Sequence, residues 1–370
     1  MLARELAERL GFRVEVIDQR SHLGGNCHTE RDHASGVMLH KYGPHIFNTS
    51  HEDVWKYVNR FGEFRPFANR VKAVNARGVF SFPINLHTIN QFFETALSPD
   101  AARAYIAART DQSIGEPTNF EEQALKHVGR ELYEAFFYGY TKKHWGCEPR
   151  ELPASILKRL PLRFNYDDNY YNSRYQAIPV EGYSAVIRRI LDHPGIALTL
   201  NSRWEPAMAE KYRHVFYSGP LDQLFSYSQG RLGYRTIQFE RIDAKGDYQG
   251  NAVINYTTGE TPWTRIHEHK HFTPWESLDR TVAFREFSKE TEPADIPYYP
   301  KRLVSDMGTF ESYTRSLADL PNITPVGRLG TYRYLDMDQV IGEALDLASD
   351  TVTSLETKSS IPQKIRPRSK

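Results

Sequence analysis

The clearest fold signal lies in residues 2–26, which read LARELAERLGFRVEVIDQRSHLGGN. The leucines and alanines of the first nine residues share one helical face, and Gly11 is well suited to end the helix. A short β-rich run from Phe12 to Asp18 follows, and the pair Gly24-Gly25 comes six residues later. Helix, strand, terminal carboxylate and glycine pair together predict the second half of a βαβ dinucleotide-binding unit.

In such a unit a strand and a G-x-G-x-x-G turn precede the helix, and the sequence from Met1 contains neither. We therefore expect a Rossmann-like domain that lacks its first strand and binds its dinucleotide more weakly. Asp18 is predicted to accept hydrogen bonds from ribose hydroxyls, or else simply to cap its strand. Gly24 and Gly25 would let the backbone approach a phosphate closely.

Composition narrows the possible functions. The 370 residues carry a formal net charge of +1, so no charge excess indicates a nucleic acid or an anionic membrane as partner. Cys27 and Cys147 lie far apart without a CxxC motif, which favours a reducing, cytoplasmic setting. No apolar run is long enough to span a membrane. The 22 tyrosines and 20 phenylalanines suit either an ordinary core or a site that stacks planar rings.

The pattern along the chain predicts several parts. Residues 85–160 are mostly helical, with a polar segment at 111–118 that we expect to form a mobile lid. Residues 70–83 predict a hairpin, and after Gly182 a helix is followed by β-rich runs whose alternation favours an antiparallel sheet. Residues 349–370 are rich in Ser, Thr, Lys and Pro and predict a disordered basic tail.

Three groups of residues could carry chemistry. His45 lies in a Gly-Pro turn between aromatic residues. Residues 133–145 place Phe136 and Tyr140 four apart on a predicted helix, so both would share a face that is either core or the wall of a cleft. A set of arginines near element ends could bind the oxygens of a pyrophosphate in bidentate fashion: Arg159, Arg163, Arg235, Arg265 and Arg328.

Alternating histidines at His267, His269 and His271 would share one face of a strand and could suit zinc. Lys270 intrudes between them, so we predict no metal site. The sequence also lacks the G-x-S-x-G, H-E-x-x-H and G-x-x-x-x-G-K-[ST] motifs of hydrolases, metalloproteases and P-loop proteins.

Eight segments resemble bacterial UDP-galactopyranose mutases, collinearly from Met1 to about Ala348. They are IDQRSHLGGN (17–26), HKYGPHIFNTS (40–50), GYTKKHWG (139–146), LPASILKRLPLRF (152–164), QGNAVINY (249–256), TRIHEHKHF (264–272), PYYP (297–300) and GRLGTYRYLDMDQVI (327–341).

The resemblance implies an α/β fold made of three parts. A discontinuous Rossmann-like FAD-binding domain would comprise 1–69, about 183–230 and 320–348. A helical domain would comprise about 85–160, and a twisted antiparallel sheet domain about 70–84, 161–182 and 231–319. A homodimer is also implied.

The resemblance assigns roles position by position. The catalytic arginines that hold the substrate diphosphate would be Arg159 and Arg265. The substrate-binding residues would be Asn69, Phe136, Phe137, Tyr140, Thr141, Trp145, Tyr170, Asn255, Tyr299 and Tyr334. The cofactor-binding residues would be Asp18, Arg20, Gly24, Gly25, Asn26, Tyr42, His45, Arg235, Arg328, Asp336, Met337 and Asp338.

The implied reaction is the non-redox interconversion of UDP-galactopyranose and UDP-galactofuranose through a covalent adduct between the sugar and N5 of reduced flavin. Its product would supply cell-surface glycans. Because the cofactor is the nucleophile, no Asp/Glu pair or Ser/His dyad is required. The alternatives are an FAD-dependent oxidoreductase on the same scaffold, and an inactive or weakly flavin-binding remnant of the family.

Overall fold

The computed structural model describes residues 1–159, 162–363 and 367–368. The strands are β1 (Val14–Ile17), β2 (Thr29–Arg31), β3 (Met38–His40), β4 (Phe47–Thr49), β5 (Phe64–Pro66), β6 (Val71–Asn75), β7 (Gly78–Phe82), β8 (Tyr175–Pro179), β9 (Ile196–Thr199), β10 (Val215–Tyr217), β11 (Tyr234–Lys245), β12 (Val253–Tyr256), β13 (Arg265–Glu268), β14 (Arg280–Glu290), β15 (Tyr299–Pro300) and β16 (Ile323–Pro325).

The α-helices are α1 (Leu2–Leu10), α2 (Glu52–Asn59), α3 (Leu86–Phe93), α4 (Pro99–Ala107), α5 (Phe120–Val128), α6 (Arg130–Tyr133), α7 (Gly139–Trp145), α8 (Tyr183–Leu191), α9 (Leu221–Leu224), α10 (Val304–Ser316), α11 (Gly327–Gly330) and α12 (Met337–Glu356). A π-helical segment, Glu134–Tyr138, joins α6 to α7. Short 3₁₀ turns include Ala154–Arg159 and His269–Phe272.

The large sheet, in the part of the chain that the structure describes, has seven strands in the order β15-β11-β14-β13-β12-β6-β7. Its pairs are antiparallel except for β12 and β6, which run parallel. Asn255 lies opposite Arg265, and Arg265 lies opposite Glu286. Residues directly opposite each other point to the same side of a sheet, so these three polar side chains share one face.

The Rossmann-like part contains two parallel pairs, β1 with β9 and β10 with β16. The runs near 197–200 and 214–217 therefore do not form the antiparallel pairs that their alternation favoured. They pair in parallel with distant strands, a choice that alternation within a short strand does not encode. Among the described residues, β1 pairs with no strand but β9. Helix α1 packs on β1 and β9 and also contacts α8 and α12, whereas α2 and α12 pack on β4.

One predicted segment pairs with strands other than those expected. β8 lies between β4 and β5 in a separate three-stranded sheet. The strand inside 161–182 thus joins the Rossmann-like part rather than the large sheet.

The helical part contains α3 to α7, as predicted, but residues 131–140 are not one regular α-helix. Phe136 packs edge-on against Phe80, with ring centroids 5.3 Å apart, whereas Tyr140 stacks on His144 at 5.8 Å. The π-helical segment interrupts the predicted α-helix here, and the two rings have different partners. That Phe136 and Tyr140 share a face stays a prediction.

The carboxyl-terminal segment also differs from the prediction. Helix α12 continues to Glu356, and Thr351 and Val352 are buried along it. Farther on, the carbonyl oxygen of Pro362 accepts a hydrogen bond from Thr324 Oγ1 at 2.7 Å. A disordered tail from 349 is thus wrong for 349–356, where a buried helical face outweighs the polar composition. None of the described helices has both the length and the apolar character to cross a membrane.

Candidate functional site

A cluster of aromatic side chains joins α7 to β15 and to the loop before α12. Tyr299 and Tyr334 stack with ring centroids 5.6 Å apart and planes 12° apart. Trp145 lies 6.4 Å from Tyr299 and 6.5 Å from Tyr334, and His144 lies 5.2 Å from Tyr299. Side chains separated by up to 190 residues therefore form one wall.

Arg328 holds the two tyrosine-bearing segments together. Its Nε and Nη2 donate to the carbonyl oxygen of Leu335 at 3.2 and 2.6 Å, and its Nη1 donates to that of Tyr298 at 3.3 Å. The guanidinium carbon lies 5.3 Å from the centroid of Tyr299 and 4.7 Å from that of Tyr334. Such a cation above two rings is attractive and orients both of them.

Arg265 is the central cation of the site. Its Nε donates to Glu286 Oε2 at 2.8 Å, and its side chain is 24% exposed. Burial would raise the pKa of Glu286, but the charge of Arg265 and the hydrogen bond from His267 outweigh burial and hold that pKa well below its usual range. Glu286 is therefore ionised and fixes the orientation of the guanidinium.

The tyrosines near Arg265 are neutral donors. Burial raises the pKa of Tyr140 and of Tyr299 well above its ordinary value. Burial also lowers the pKa of His144 to about 4, so its ring carries no charge at neutral pH. A guanidinium surrounded by neutral hydroxyls can bind an anion without a competing carboxylate other than Glu286.

Two buried amides line the same region. Asn69 and Asn255 are 4% and 8% exposed, and the Oδ1 of each has no hydrogen-bond partner among the described residues. The backbone carbonyl of Asn69 accepts from the Tyr170 amide at 2.8 Å, which holds Tyr170 beside it. Buried acceptors without partners are rare in proteins and suit the hydroxyl or amide groups of a ligand.

A second cluster lies at the end of β1. Arg20 Nη2 donates to Asn26 Oδ1 at 2.8 Å, and its guanidinium lies 4.6 Å from the centroid of the Tyr42 ring. Arg20 Nη1 is buried without a partner among the described residues. Asp18 Oδ1 accepts from the Arg20 backbone amide at 2.9 Å.

Gly25, the second glycine of the pair beside this cluster, leaves room for a ligand. Gly24 and Gly25 have φ of 90° and 53°, and a Cβ at Gly25 would meet no atom within 4 Å. Tyr42 lies 6.5 Å from Tyr298, the neighbour of Tyr299, so the two clusters are contiguous.

His45 lies between the clusters as a neutral ring. Its Nδ1 is 2.9 Å from the carbonyl oxygen of Gly43, so Nδ1–H donates and Nε2 keeps its lone pair. Burial lowers the pKa of His45 to about 4, and the charges of Arg328 and Arg265 act in the same direction.

The remaining predicted residues lie in different settings. Phe136 and Phe137 are 1% and 5% exposed and pack against Phe80 and Phe82, so both are explained as core residues. Thr141 is buried on α7. Arg235 donates to the His144 carbonyl at 3.0 Å and pairs with Glu290 at 3.0 Å, so it ties the end of α7 to the sheet.

Three further predicted residues begin α12. Asp336 caps the helix in a box with Gln339, Met337 packs beside the core, and Asp338 is buried. The unpaired amides of a helix amino end favour electronegative ligand atoms. Arg159 closes the turn Ala154–Arg159, but its side chain lies outside the described residues.

The three alternating histidines do not share a face. The strand ends at Glu268 and a 3₁₀ turn begins at His269. His267 Nε2 contacts Glu286, and the Nδ1 of His269 accepts from the His40 amide. His271 lies 3.4 Å from Asp247 and from Glu268, a group that could hold a cation, but Lys270 Nζ already contacts Asp247 at 2.6 Å.

The predicted lid, 111–118, forms hydrogen bonds with neighbouring residues in the chain. The Asp111 amide donates to the Leu125 carbonyl, Lys126 donates to the Gly115 carbonyl, and Thr118 donates to Glu122. These contacts join it to α5, and none of the hydrogen bonds that the structure describes links it to the clusters above.

Glu286, His267 and His144 are site residues that the sequence reasoning missed. The signal for Glu286 was a single acid at an inward position of the alternating run 281–287. Its partner Arg265 is 21 residues away, and only strand pairing shows that the two meet.

Comparisons with known proteins show which family the chain belongs to. A family model of UDP-galactopyranose mutase matches residues 135–334, and one of NAD(P)-binding Rossmann-like domains matches residues 1–61. A probable UDP-galactopyranose mutase of Klebsiella pneumoniae is 54% identical over 362 residues, covering 98% of this chain and 94% of the relative. The chain belongs to the UDP-galactopyranose mutase family.

A second relative and a solved structure are also similar to this chain. The dTDP-fucopyranose mutase of Escherichia coli is 50% identical over 355 residues, covering 94% of each protein. The crystal structure of a reduced UDP-galactopyranose mutase superposes with a TM-score of 0.74 at 16% identity, covering 96% of this chain and 92% of that one. The α/β fold with a Rossmann-like part is confirmed, and the protein is an isomerase of the mutase type.

FAD is the cofactor of this family member. The described residues fit it: Arg20 offers a buried unpartnered donor beside an open glycine turn, and α12 presents its amino end. Arg20, Asn26, Tyr42 and His45 would hold the cofactor, with Asp18 near the ribose.

Proposed function

We propose that the protein interconverts UDP-galactopyranose and UDP-galactofuranose without net redox change, supplying galactofuranose to cell-surface glycans such as lipopolysaccharide. The observation that carries this proposal is Arg265. Its Nε is fixed by Glu286, and neutral tyrosines surround it beside the cofactor cluster. A fixed guanidinium with neutral donors suits a diphosphate.

Reduced FAD, when bound, supplies the nucleophile for this chemistry. The residues of the chain act on the leaving group. The Nη groups of Arg265 stabilise the charge that develops on UDP as its bond to the anomeric carbon breaks. Hydroxyl groups of Tyr299 and Tyr334 retain the departed UDP, so its return stays effectively unimolecular. The resemblance assigns Arg159 to the same diphosphate.

The test is direct. Purified protein is mixed with UDP-galactofuranose, with and without dithionite, and the sugar nucleotides are separated by chromatography. We expect UDP-galactopyranose to form with the reductant and much less without it. If none forms with reduced, flavin-loaded protein, the proposal is wrong. Steady consumption of O₂ or NADPH in step with product would instead support an oxidoreductase.

The second candidate substrate is dTDP-fucopyranose, because the E. coli relative named for it is 50% identical to this chain. The two substrates differ in the nucleoside and at C6 of the sugar. Comparing kcat/KM for both nucleotide sugars in one assay decides between them. We expect the uridine substrate to be preferred, and a preference for the thymidine substrate would replace our first assignment.

The cytoplasm as compartment, a homodimer and lid closure over 111–118 also belong to this proposal, and the family resemblance supports the first two. Sedimentation of the flavin-loaded protein tests the homodimer, for which we expect twice the chain mass of 42.8 kDa. A monomer at working concentration would contradict it.

A further inference from the structure

The carboxylate of Glu286 is buried near the site and well satisfied by hydrogen bonds. It is 1% exposed and accepts three side-chain hydrogen bonds. Its Oε2 receives Arg265 Nε at 2.8 Å and His267 Nε2 at 3.0 Å, and its Oε1 receives Thr264 Oγ1 at 3.1 Å. Arg265 is the member of this group that reaches partly into solvent.

His267 contributes a hydrogen bond to this group rather than a charge. The ring is 0% exposed, and burial lowers its pKa, so it is neutral at neutral pH. An ionised carboxylate only accepts, so Nε2 carries the proton and donates it to Glu286. Its Nδ1 has no partner among the described residues, which leaves Glu286 as the one polar contact that fixes the ring.

The geometry points to His267 as a positioning residue for Arg265 that acts through Glu286. It holds the carboxylate in the plane that receives Arg265 Nε, so that the two Nη groups face the diphosphate. This inference rests on the proposed function, since the anion that Arg265 binds is taken to be the UDP leaving group.

The consequence of losing the His267 hydrogen bond follows from the network. Glu286 would keep two of its three side-chain donors and could turn about its terminal torsion. The guanidinium would then lose its fixed plane and with it bidentate geometry toward the diphosphate. The effect should be larger on kcat than on KM, because charge on the leaving group is greatest in the transition state.

A pair of amide substitutions separates hydrogen bonding from packing. In His267→Gln the longer side chain brings an N–H donor near the position of Nε2, whereas in His267→Asn the amide is too short to reach Glu286. We expect His267→Asn to lower kcat by about tenfold or more and His267→Gln to stay within about threefold of the unchanged protein. UDP affinity, measured by calorimetry, should weaken severalfold in His267→Asn only.

A pH profile supplies a readout that packing alone would not change. Besides Arg265 and His267, the ionisable groups that act on Glu286 among the described residues include His144 and Tyr140 on α7 and Tyr298 and Tyr299 near β15. The low pKa of Glu286 preserves the Arg265 contact until strongly acidic pH. Without the His267 donor that pKa rises, so UDP affinity in His267→Asn should decline at a higher pH than in the unchanged protein.

His214→Leu is the control, since it removes a partly buried histidine whose Nε2 bonds Thr324 Oγ1 at 2.8 Å, away from Glu286. It should leave kcat and UDP affinity unchanged. If His267→Asn does not fold, His267→Leu carries the same test with an apolar side chain.

Two outcomes would overturn the inference. One is a folded His267→Asn or His267→Leu whose kcat and UDP affinity are unchanged and whose UDP affinity declines at the same acidic pH as in the unchanged protein. The other is His267→Gln impaired as strongly as His267→Asn, which would indicate packing. Failure of the proposed function is distinguishable, because the unchanged protein would then convert no sugar nucleotide, while UDP calorimetry would still compare the variants.

Discussion

Arg265 shows how much a single side chain depends on its neighbours. Its Nη groups are available to a ligand because the hydrogen bond to Glu286, within the part of the chain that the structure describes, uses Nε. Arg285 precedes Glu286 in β14 and carries the same guanidinium group as Arg265. It points to the opposite face of the sheet, where its Nη1 donates to Glu240 Oε1 at 2.8 Å. The same residue type is thus a candidate binding group on one face of the sheet and the partner of Glu240 on the other.

This contrast leads to a prediction. Arg265→Lys keeps the positive charge but loses the planar fork, so we expect kcat/KM to fall about 100-fold or more. Arg285→Lys is the matched control and should stay within about twofold, because Arg285 points to the opposite face of the sheet, where its partner is Glu240. Steady-state kinetics with the flavin spectrum and the melting temperature measure both. Equal losses in the two variants would contradict the assignment of Arg265.

The joint between the π-helical segment and α7 sets the position of the aromatic wall. Gly139 begins α7, and a Cβ there would overlap the carbonyl oxygen of Thr257 and lie 3.0 Å from the amide of Gly259. On the next turn Lys143 Nζ donates to the carbonyl oxygens of Tyr256 and Trp263 at 2.8 and 2.9 Å. The helix therefore lies directly against the connection between β12 and β13.

We predict that Gly139→Ala lowers the free energy of unfolding by about 1–3 kcal/mol, because backbone atoms must move to admit the methyl group. Gly308 gives the control, since it lies inside α10 with no atom within 4 Å of an added Cβ. Gly308→Ala should raise stability by about 0.5–1 kcal/mol through helix propensity. Denaturant unfolding measures both, and a neutral Gly139→Ala would show that the contact yields easily.

Several buried histidines give the folded molecule a common response to acid. Burial lowers the pKa of His40 to about 3 and those of His45 and His144 to about 4. Each is neutral in the folded protein at neutral pH and would titrate near 6.5 when unfolded. Between those values the unfolded chain binds more protons than the folded one, so stability falls as pH decreases.

We therefore predict that the free energy of unfolding decreases from pH 6.5 toward pH 5, with a slope of about 1.4 kcal/mol per pH unit for each such histidine. His40→Gln should reduce that slope by about 1.4 kcal/mol per pH unit, the contribution of one proton. Exposed His87 supplies the control, and His87→Gln should leave the slope as it is. Urea unfolding at several pH values measures it; a slope unaffected by His40→Gln would refute the prediction.

Local signals in the sequence predicted many elements correctly. The apolar face before Gly11 predicted α1. Capping signals of equally short range lie in the part predicted to be helical, where the Ser98 side chain caps α4. Asn119 caps α5 in the same way. These signals suffice because capping and periodicity act within one turn of the chain.

The site was predictable in residue type but not in arrangement. Arg265, Tyr140, Tyr299 and Tyr334 were expected as substrate residues, and they do gather near one another. Phe136 was expected in the substrate cleft, and its ring packs against Phe80 in a π-helical segment that the sequence pattern did not predict. Glu286 was not expected, since its role depends on strand register.

The amino-acid pattern alone established the α/β class, the Rossmann-like beginning, the family resemblance and the arginine and tyrosine chemistry, since these depend on short-range periodicity and residue type. Tertiary contacts settled the parallel pairing of β1 with β9, the burial of α12 to Val352 and the Arg265–Glu286–His267 network. Each of these joins residues that are distant in sequence or depends on what a surface packs against, and no local pattern in the chain encodes such a choice.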